Sequence, residues 1–239
     1  MTIRRLLALS LAGALGAAVA VATPAAAYPR DDYSYAAAHM IARSDIPASL
    51  GTFKKSLSFS ADKGNTNYAC WVPTSDPDAQ QVSVKYPGGT YSYSGSYEGR
   101  GKDAPSLVVG VDQYSSASAA IKAFNVLKKG IVKCTGTGSN TFTDDDGTTY
   151  AYSTLLTHGV VPTVSTLGVE SLFVSNNSLQ EETPGDSRYV NDTYTVYSLF
   201  GDVIIQTQYY SNTNTNLTTK QRRAVNRVAF NAETAWLAD

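Results

Sequence analysis

The chain has 239 residues, and its 19 Lys and Arg against 20 Asp and Glu give a formal net charge of −1 at pH 7. A chain so close to neutral does not attract polyanions, which argues against a nucleic-acid partner. Its 16 tyrosines and its charged fraction of only 16% are typical of a strand-rich extracellular domain.

Residues 1–27 have the three-part pattern of an export signal. Two arginines at positions 4 and 5 precede an apolar stretch from Leu6 to Ala22, and small residues end the segment. We expect cleavage after Ala27. No cysteine follows that position and no second long apolar segment occurs, so we expect a secreted protein without a lipid anchor or a membrane span. We also expect a monomer.

The rest of the chain divides into a lead-in and one domain. Residues 28–44 predict an exposed segment followed by a short helix in YAAAHMIARS, and residues 45–239 predict a single domain. Within the domain, alternation of apolar and polar residues indicates strands at 53–59 and 82–86. The apolar run at 107–111 indicates a central strand that is covered on both faces.

A row of tyrosines at even spacing is the candidate ligand-binding surface. In TYSYSGSY, Tyr91, Tyr93 and Tyr97 fall on one face of a strand because successive side chains alternate. Tyrosine rings flanked by serines suit saccharides or cell-wall material, since rings stack on apolar faces while hydroxyls bond to the rim. Tyrosine also simply favours strands, so the alternative is that this face belongs to the core.

The stretch SSASAAIKAFNVLKKGIVKC, residues 115–134, predicts a helix that ends on a cysteine. A serine can cap its start, the apolar residues from Ala120 to Ile131 recur at spacings of four and three, and Cys134 continues that buried stripe. Gly130 can end the regular helix early, and a frayed last turn would still direct Cys134 inward. The chain has one other cysteine, Cys70, and two cysteines in an exported protein most economically form one disulfide. The alternatives, a nucleophilic or metal-ligating cysteine, need a nearby base or further ligands.

The clearest hairpin lies in DTYTVYSLFGDVIIQTQYY, residues 192–210. Gly-Asp at 201–202 forms a two-residue loop, so Phe200 is predicted to face Val203, and every second pair beyond them forms one mostly apolar face. We expect that face to pack against the helices.

A final amphipathic helix follows in TTKQRRAVNRVAFNAETAW. A capping box of Thr218 and Gln221 opens it, and apolar residues from Val225 to Trp236 recur along one side. Its four basic residues favour a solvated outer face over an anion site.

No constellation for catalysis or metal binding stands out in the sequence. The two histidines, His39 and His158, lie far apart, and neither a G-x-S-x-G motif nor a cluster of metal ligands accompanies them. The acidic run at 144–147 predicts a turn, because Ser153 stands where a calcium loop needs a glutamate. We therefore expect no catalytic residue, no metal and no cofactor.

Five stretches together resemble the PknH-like extracellular sensor domains, an actinobacterial family with secreted and lipid-anchored members. They are IPASLG, YACWVP, VVGVDQYSSASAAIKAFNVLKKGIVKC, LGVESLFV and YTVYSLFGDVIIQTQY, and with the final helix they cover most of residues 45–237. The resemblance implies a single α/β (α+β) domain with an antiparallel sheet, packed helices and an open cleft for an unidentified extracellular ligand. It implies no catalysis.

The resemblance also implies that Cys70 and Cys134 match the family's longer-range disulfide. This chain departs from the kinase in having one cysteine pair where the kinase's sensor domain has two, and in carrying neither a kinase domain nor a membrane span. We expect a secreted, non-catalytic sensor-like domain that binds a small molecule or a cell-wall fragment. The alternatives are a structural or surface-interaction protein without a small ligand and, least favoured, a secreted hydrolase.

Overall fold

The structure, a computed structural model, describes a large part of the chain. The described residues are 37–60, 65–73, 81–100, 104–161, 170–183, 188–211 and 215–236. The predicted signal at 1–27 and the first part of the lead-in lie outside them. Residues 37–39 are helical, and they are the described part of the short helix predicted before residue 45.

Ten strands and two α-helices of more than one turn make up the described part of the domain, preceded by two single turns of 3-10 helix. In chain order they are β1 (Phe53–Ser60), β2 (Thr66–Pro73), β3 (Gln81–Pro87), β4 (Tyr91–Gly99), β5 (Ser106–Gln113), α1 (Ala117–Ile131), β6 (Gly136–Thr143), β7 (Thr149–Val160), β8 (Glu170–Thr183), β9 (Arg188–Phe200), β10 (Val203–Ser211) and α2 (Thr219–Trp236). None of the described helices is long and apolar enough to cross a membrane.

Eight of the strands form one antiparallel sheet in the order β1-β4-β5-β10-β9-β8-β7-β6. The other two, β2 and β3, pair with each other in a separate ribbon. This arrangement confirms the predicted single domain with an antiparallel sheet and packed helices.

Helix α2 covers one face of the sheet. The core on this side combines Val225, Val228 and Ala232 of the helix with inward-facing strand residues such as Val109 and Ile205. Burial of an apolar helix stripe on a sheet face is the main stabilising contribution here, at roughly 25 cal/mol per Å² of apolar surface removed from water.

Helix α1 and the ribbon cover part of the opposite face. Phe124 and Leu127 of α1 are buried in a second core with Leu172 of β8 and Ile204 of β10, and Val84 of the ribbon joins them. The sheet is therefore the middle of three layers.

Both helices begin with the side-chain caps that the sequence predicts. Ser116 Oγ accepts a hydrogen bond from the backbone N–H of Ala119 at 3.2 Å. The backbone N–H of Gln221 donates to Thr218 Oγ1 at 3.2 Å, and Gln221 Oε1 accepts from the backbone N–H of Thr218 at 2.9 Å. These bonds satisfy backbone donors that the first helical turn leaves without a partner.

The predicted disulfide joins Cys70 of the ribbon to Cys134, with a Cα–Cα distance of 6.0 Å. Helix α1 ends at Ile131, one residue after Gly130, which is the early end that the glycine allows. A turn follows, in which the backbone N–H of Cys134 donates to the Ile131 carbonyl at 2.9 Å and the cysteine side chain stays fully buried. The disulfide covalently links the ribbon to the segment just before β6.

The β9–β10 hairpin has the predicted register. Phe200 pairs with Val203 and Ser198 with Ile205, and Gly201 in the loop has a φ of 54°, a left-handed conformation that glycine adopts without a steric penalty. The apolar face of the hairpin packs under α2, also as predicted.

Strand β5 corrects one prediction. Leu107 and Val109 are buried under α2, but Val108 and Gly110 between them are only half-buried. The run at 107–111 is thus covered fully on one face only, because α1 and the ribbon do not reach across the whole opposite face.

Candidate functional site

The tyrosine row on β4 lies in the core. Tyr93 and Tyr97 are 1% and 0% exposed. The Tyr97 hydroxyl donates to the Ile41 carbonyl at 2.7 Å, and the Tyr93 ring lies 5.6 Å from the ring of Trp236. Only Tyr91 is partly buried. The structure therefore supports the core alternative, because α2 and the segment before β1 cover this face, and the row does not line an open site.

The opposite face of the same strands is the more open surface. Its side chains alternate with the core residues along four neighbouring strands and are mostly half-buried. We call this surface the polar face; it consists of Ser94, Ser96, Ser106, Val108, Thr193, Thr195, Gln206, Gln208 and Tyr210. Eight of its nine side chains carry a hydroxyl or an amide, and Val108 is apolar; on the same side of the sheet, Glu98 follows Ser96 on β4 and Asp112 follows Gly110 on β5.

The strand register arranges the polar face in rows. Ser96, Val108, Gln208 and Thr195 are successive cross-strand neighbours from β4 to β9. Neighbouring side chains in such a row lie within about 5.5 Å of each other at Cβ. Because neighbouring strands lie about 4.8 Å apart, a ligand about 10 Å across can contact side chains from three strands at once.

A glycine interrupts the next row of the polar face. Gly110 lies between Ser94 and Gln206. A Cβ placed on Gly110 would come no closer than 3.8 Å to the Tyr93 carbonyl oxygen and 4.0 Å to Gln206 Cβ. Both distances are ordinary van der Waals contacts, so this position can accept a Cβ without a clash.

The ribbon borders the polar face and is anchored by a buried carboxylate. Asn67 of the ribbon donates to Asp112 Oδ2 of β5, and the Ser92 hydroxyl donates to Asp112 Oδ1 at 2.7 Å. The Tyr197 hydroxyl adds a bond to the Ala69 carbonyl at 3.2 Å. Burial raises the pKa of Asp112, although the hydrogen bonds that its carboxylate accepts from Ser92 and Asn67 oppose the shift.

Tyr210 and Gln208 give the polar face its largest hydrogen-bonding groups. Burial raises the pKa of Tyr210, and a side-chain hydrogen bond with Gln208 partly offsets that effect. The phenol therefore stays neutral in ordinary conditions. Such a face can donate and accept hydrogen bonds, while Val108 and the tyrosine ring offer apolar contact.

A concave surface lies on the other side of the sheet, over β6, β7 and β8. It is a groove of about 310 Å³ lined by Thr137, Gly138, Ser139, Ser153, Thr154, Leu155 and Asn177. Leu155 is 48% exposed in the groove. Asn177 closes one side by donating to Asn216 Oδ1 at 2.6 Å. The side chains that line the groove are also uncharged.

The histidines are held by neighbours that have no obvious catalytic role. His158 Nδ1 lies 3.3 Å from the Cys134 carbonyl oxygen, and the His39 ring lies edge-on to Trp236 at 5.6 Å. Both cysteines are in the disulfide, which excludes the alternative of a free nucleophile or a thiolate ligand. Among the described residues, no three His, Cys, Asp or Glu side chains are grouped so that they could hold a metal ion.

The acidic run after β6 forms the predicted turn. Asp144 Oδ1 accepts hydrogen bonds from the backbone N–H groups of Asp146 at 3.1 Å and Thr148 at 2.9 Å. Such side-chain bonds to the following backbone are the usual role of aspartate in a turn.

Sequence reasoning missed the polar face. Its signal was present in the alternation of Gln206, Gln208 and Tyr210 with apolar residues on β10. Alternation shows that a strand has two different faces, but it does not tell whether the polar one is fully solvated or partly enclosed.

No family model and no curated protein matches the chain. Among solved structures, it is similar to the crystal structure of the extracellular domain of PknH from Mycobacterium tuberculosis. The sequence identity is 14% and the TM-score is 0.49, and the match covers 83% of this chain and 94% of that chain. The function proposed for this chain therefore rests on its own motifs and side chains.

Proposed function

We propose that this chain is an extracellular, non-catalytic sensor-like domain that binds a neutral polar molecule, such as a saccharide fragment of a cell wall, on the polar face. The motifs that resemble the PknH-like sensor domains support the sensor-like role. The observation that carries the proposal is the half-buried sheet face of hydroxyl and amide groups beside the anchored ribbon.

The chemistry of the face favours a neutral ligand over an ion. None of its nine residues carries a charge. Glu98, the cross-strand neighbour of Ser106, pairs with Lys54 on its other side. Both oxygens of Asp112 accept hydrogen bonds, from Asn67 and Ser92. Saccharide hydroxyls match amide and hydroxyl side chains in geometry and number, since each can both donate and accept. Their C–H faces match Val108 and the Tyr210 ring.

Binding without catalysis is consistent with the residues near the face. Most enzymes that hydrolyse a glycosidic bond use a pair of carboxyl groups on either side of the scissile bond. Asp112 is the nearest buried carboxyl, and Asn67 and Ser92 engage both of its oxygens. The non-enzyme interpretation would be overturned by turnover of a saccharide that the His158→Ala substitution abolishes.

Two substitutions test the location of the site. Gly110→Val adds a side chain to the polar face at a position where a Cβ meets no clash, so it should keep the protein folded and weaken binding at least tenfold. Gln208→Ala removes an amide and should weaken binding about fivefold to tenfold. Asn125→Ala, which removes an exposed amide on α1, is the matched control.

The assay is isothermal titration calorimetry of the secreted protein against soluble, neutral cell-wall saccharides, with circular dichroism to check folding. The account predicts that the control binds like the wild type. If a saccharide binds Gly110→Val as tightly as it binds the wild type, the ligand site is not on the polar face. If no neutral saccharide binds the wild type, the proposed ligand class is wrong.

A further inference from the structure

Strand β6 is an open edge of the sheet. Among the described strands it forms a ladder only with β7; β2 of the ribbon comes near it at the disulfide but does not pair with it. Its residues, GTGSNTFT, include no charge and no proline. The side chains of Thr137, Ser139, Thr141 and Thr143 are exposed. An uncharged, proline-free edge of eight residues is a template for pairing with another strand.

The opposite edge of the sheet is protected. Strand β1 carries Lys54 and Lys55, and the Lys55 ammonium donates to the Ile41 carbonyl at 3.1 Å, which ties the preceding segment to this edge. Lysines on an edge strand oppose pairing with another chain because their charge must stay hydrated. The two edges therefore differ, and only β6 lacks such protection.

Charges at the two ends of β6 are opposite in sign. Exposed Lys133 comes just before the strand, and exposed Asp145 and Asp146 come just after it. Eight residues of extended chain separate them by about 27 Å, which is too far for attraction within one copy. These three residues lie in the turns that flank β6. If two copies pair antiparallel about the middle of β6, the lysine-bearing end of each strand lies next to the aspartate-bearing end of the other.

We infer that β6 pairs with β6 of a second copy of this chain, forming a two-fold symmetric dimer with one continuous sheet. This goes beyond the proposed function and replaces the monomer expected from the sequence. A two-fold axis makes the contact self-complementary, so both charge clusters form at once. Pairing also extends the floor of the groove, since Thr137, Gly138 and Ser139 of β6 line it next to the edge.

Sedimentation velocity of the secreted protein tests the dimer. The expected result is a concentration-dependent shift from monomer to dimer in the micromolar range, weaker at high salt. Lys133→Glu places acids opposite acids at both ends and should raise the dimer Kd about tenfold. Lys122→Glu on the exposed side of α1 makes the same charge change away from β6 and should leave the Kd unchanged.

A charge swap distinguishes β6 pairing from any other dimer. A variant with Asp145→Lys and Asp146→Lys should dimerise poorly alone but form a heterodimer when mixed with Lys133→Glu. Failure of the mixture to form that heterodimer overturns the inference, as does a wild-type protein that remains monomeric or a Lys133→Glu variant that behaves like Lys122→Glu. Gln208→Ala on the polar face should dimerise normally, so this test is independent of ligand binding.

Discussion

Removing the disulfide should lower the free energy of unfolding by an amount that follows from the length of the loop it closes. Cys70 and Cys134 are separated by 64 positions, and closing a loop of this size in the unfolded chain corresponds to about 4 kcal/mol at 25 °C on the loop-entropy estimate. For a domain of this size, that loss lowers the melting temperature by about 10 °C. The double variant Cys70→Ala with Cys134→Ala removes the cross-link.

The assay is urea unfolding of the wild type and of the double variant, followed by circular dichroism. An effect through the unfolded chain should also raise the m-value, because an unfolded chain without the cross-link exposes more surface. Wild type in reductant is the control and should match the double variant. A loss below about 1 kcal/mol with an unchanged m-value would refute this reasoning.

Two further predictions concern buried polar groups. Burial raises the pKa of Asp112, so the folded state holds its proton better than the unfolded state does. The free energy of unfolding of the wild type should therefore fall relative to that of Asp112→Asn as the pH rises from about 3.9, the ordinary aspartate pKa, through the raised pKa. Urea unfolding at a series of pH values measures this difference. A wild type that becomes more stable relative to Asp112→Asn over this range would contradict the prediction. Tyr97→Phe removes the hydrogen bond to the Ile41 carbonyl and should lower the free energy of unfolding by about 1 kcal/mol. Saccharide affinity, measured by calorimetry, should stay at the wild-type value because this ring is in the core.

Local signals predicted much of the fold. The β9–β10 hairpin follows from its two-residue Gly-Asp loop, which fixes the register of every pair beyond Phe200 and Val203. The start of α1 follows from Ser116 and the start of α2 from Thr218, because a hydroxyl that caps the first turn leaves a recognisable pattern. These features depend on residues close together in the sequence.

The candidate site depends on packing between distant segments. The same period of two that places Tyr93 and Tyr97 on one face allows that face to be either core or surface, and the arrival of α2 decides it. On the other face, the ribbon stops at Asp112 and leaves Gln208 half-buried. The extent of each covering layer was not encoded in any single strand.

The most direct test of ligand binding at the polar face is a map of amide chemical shifts in the labelled protein, titrated with the saccharide that binds most tightly. The account predicts that the largest shifts cluster at residues 94–96, 106–110, 193–195 and 206–210. Shifts that cluster instead around Leu155 in the groove, or that are absent at saturating saccharide, would contradict it.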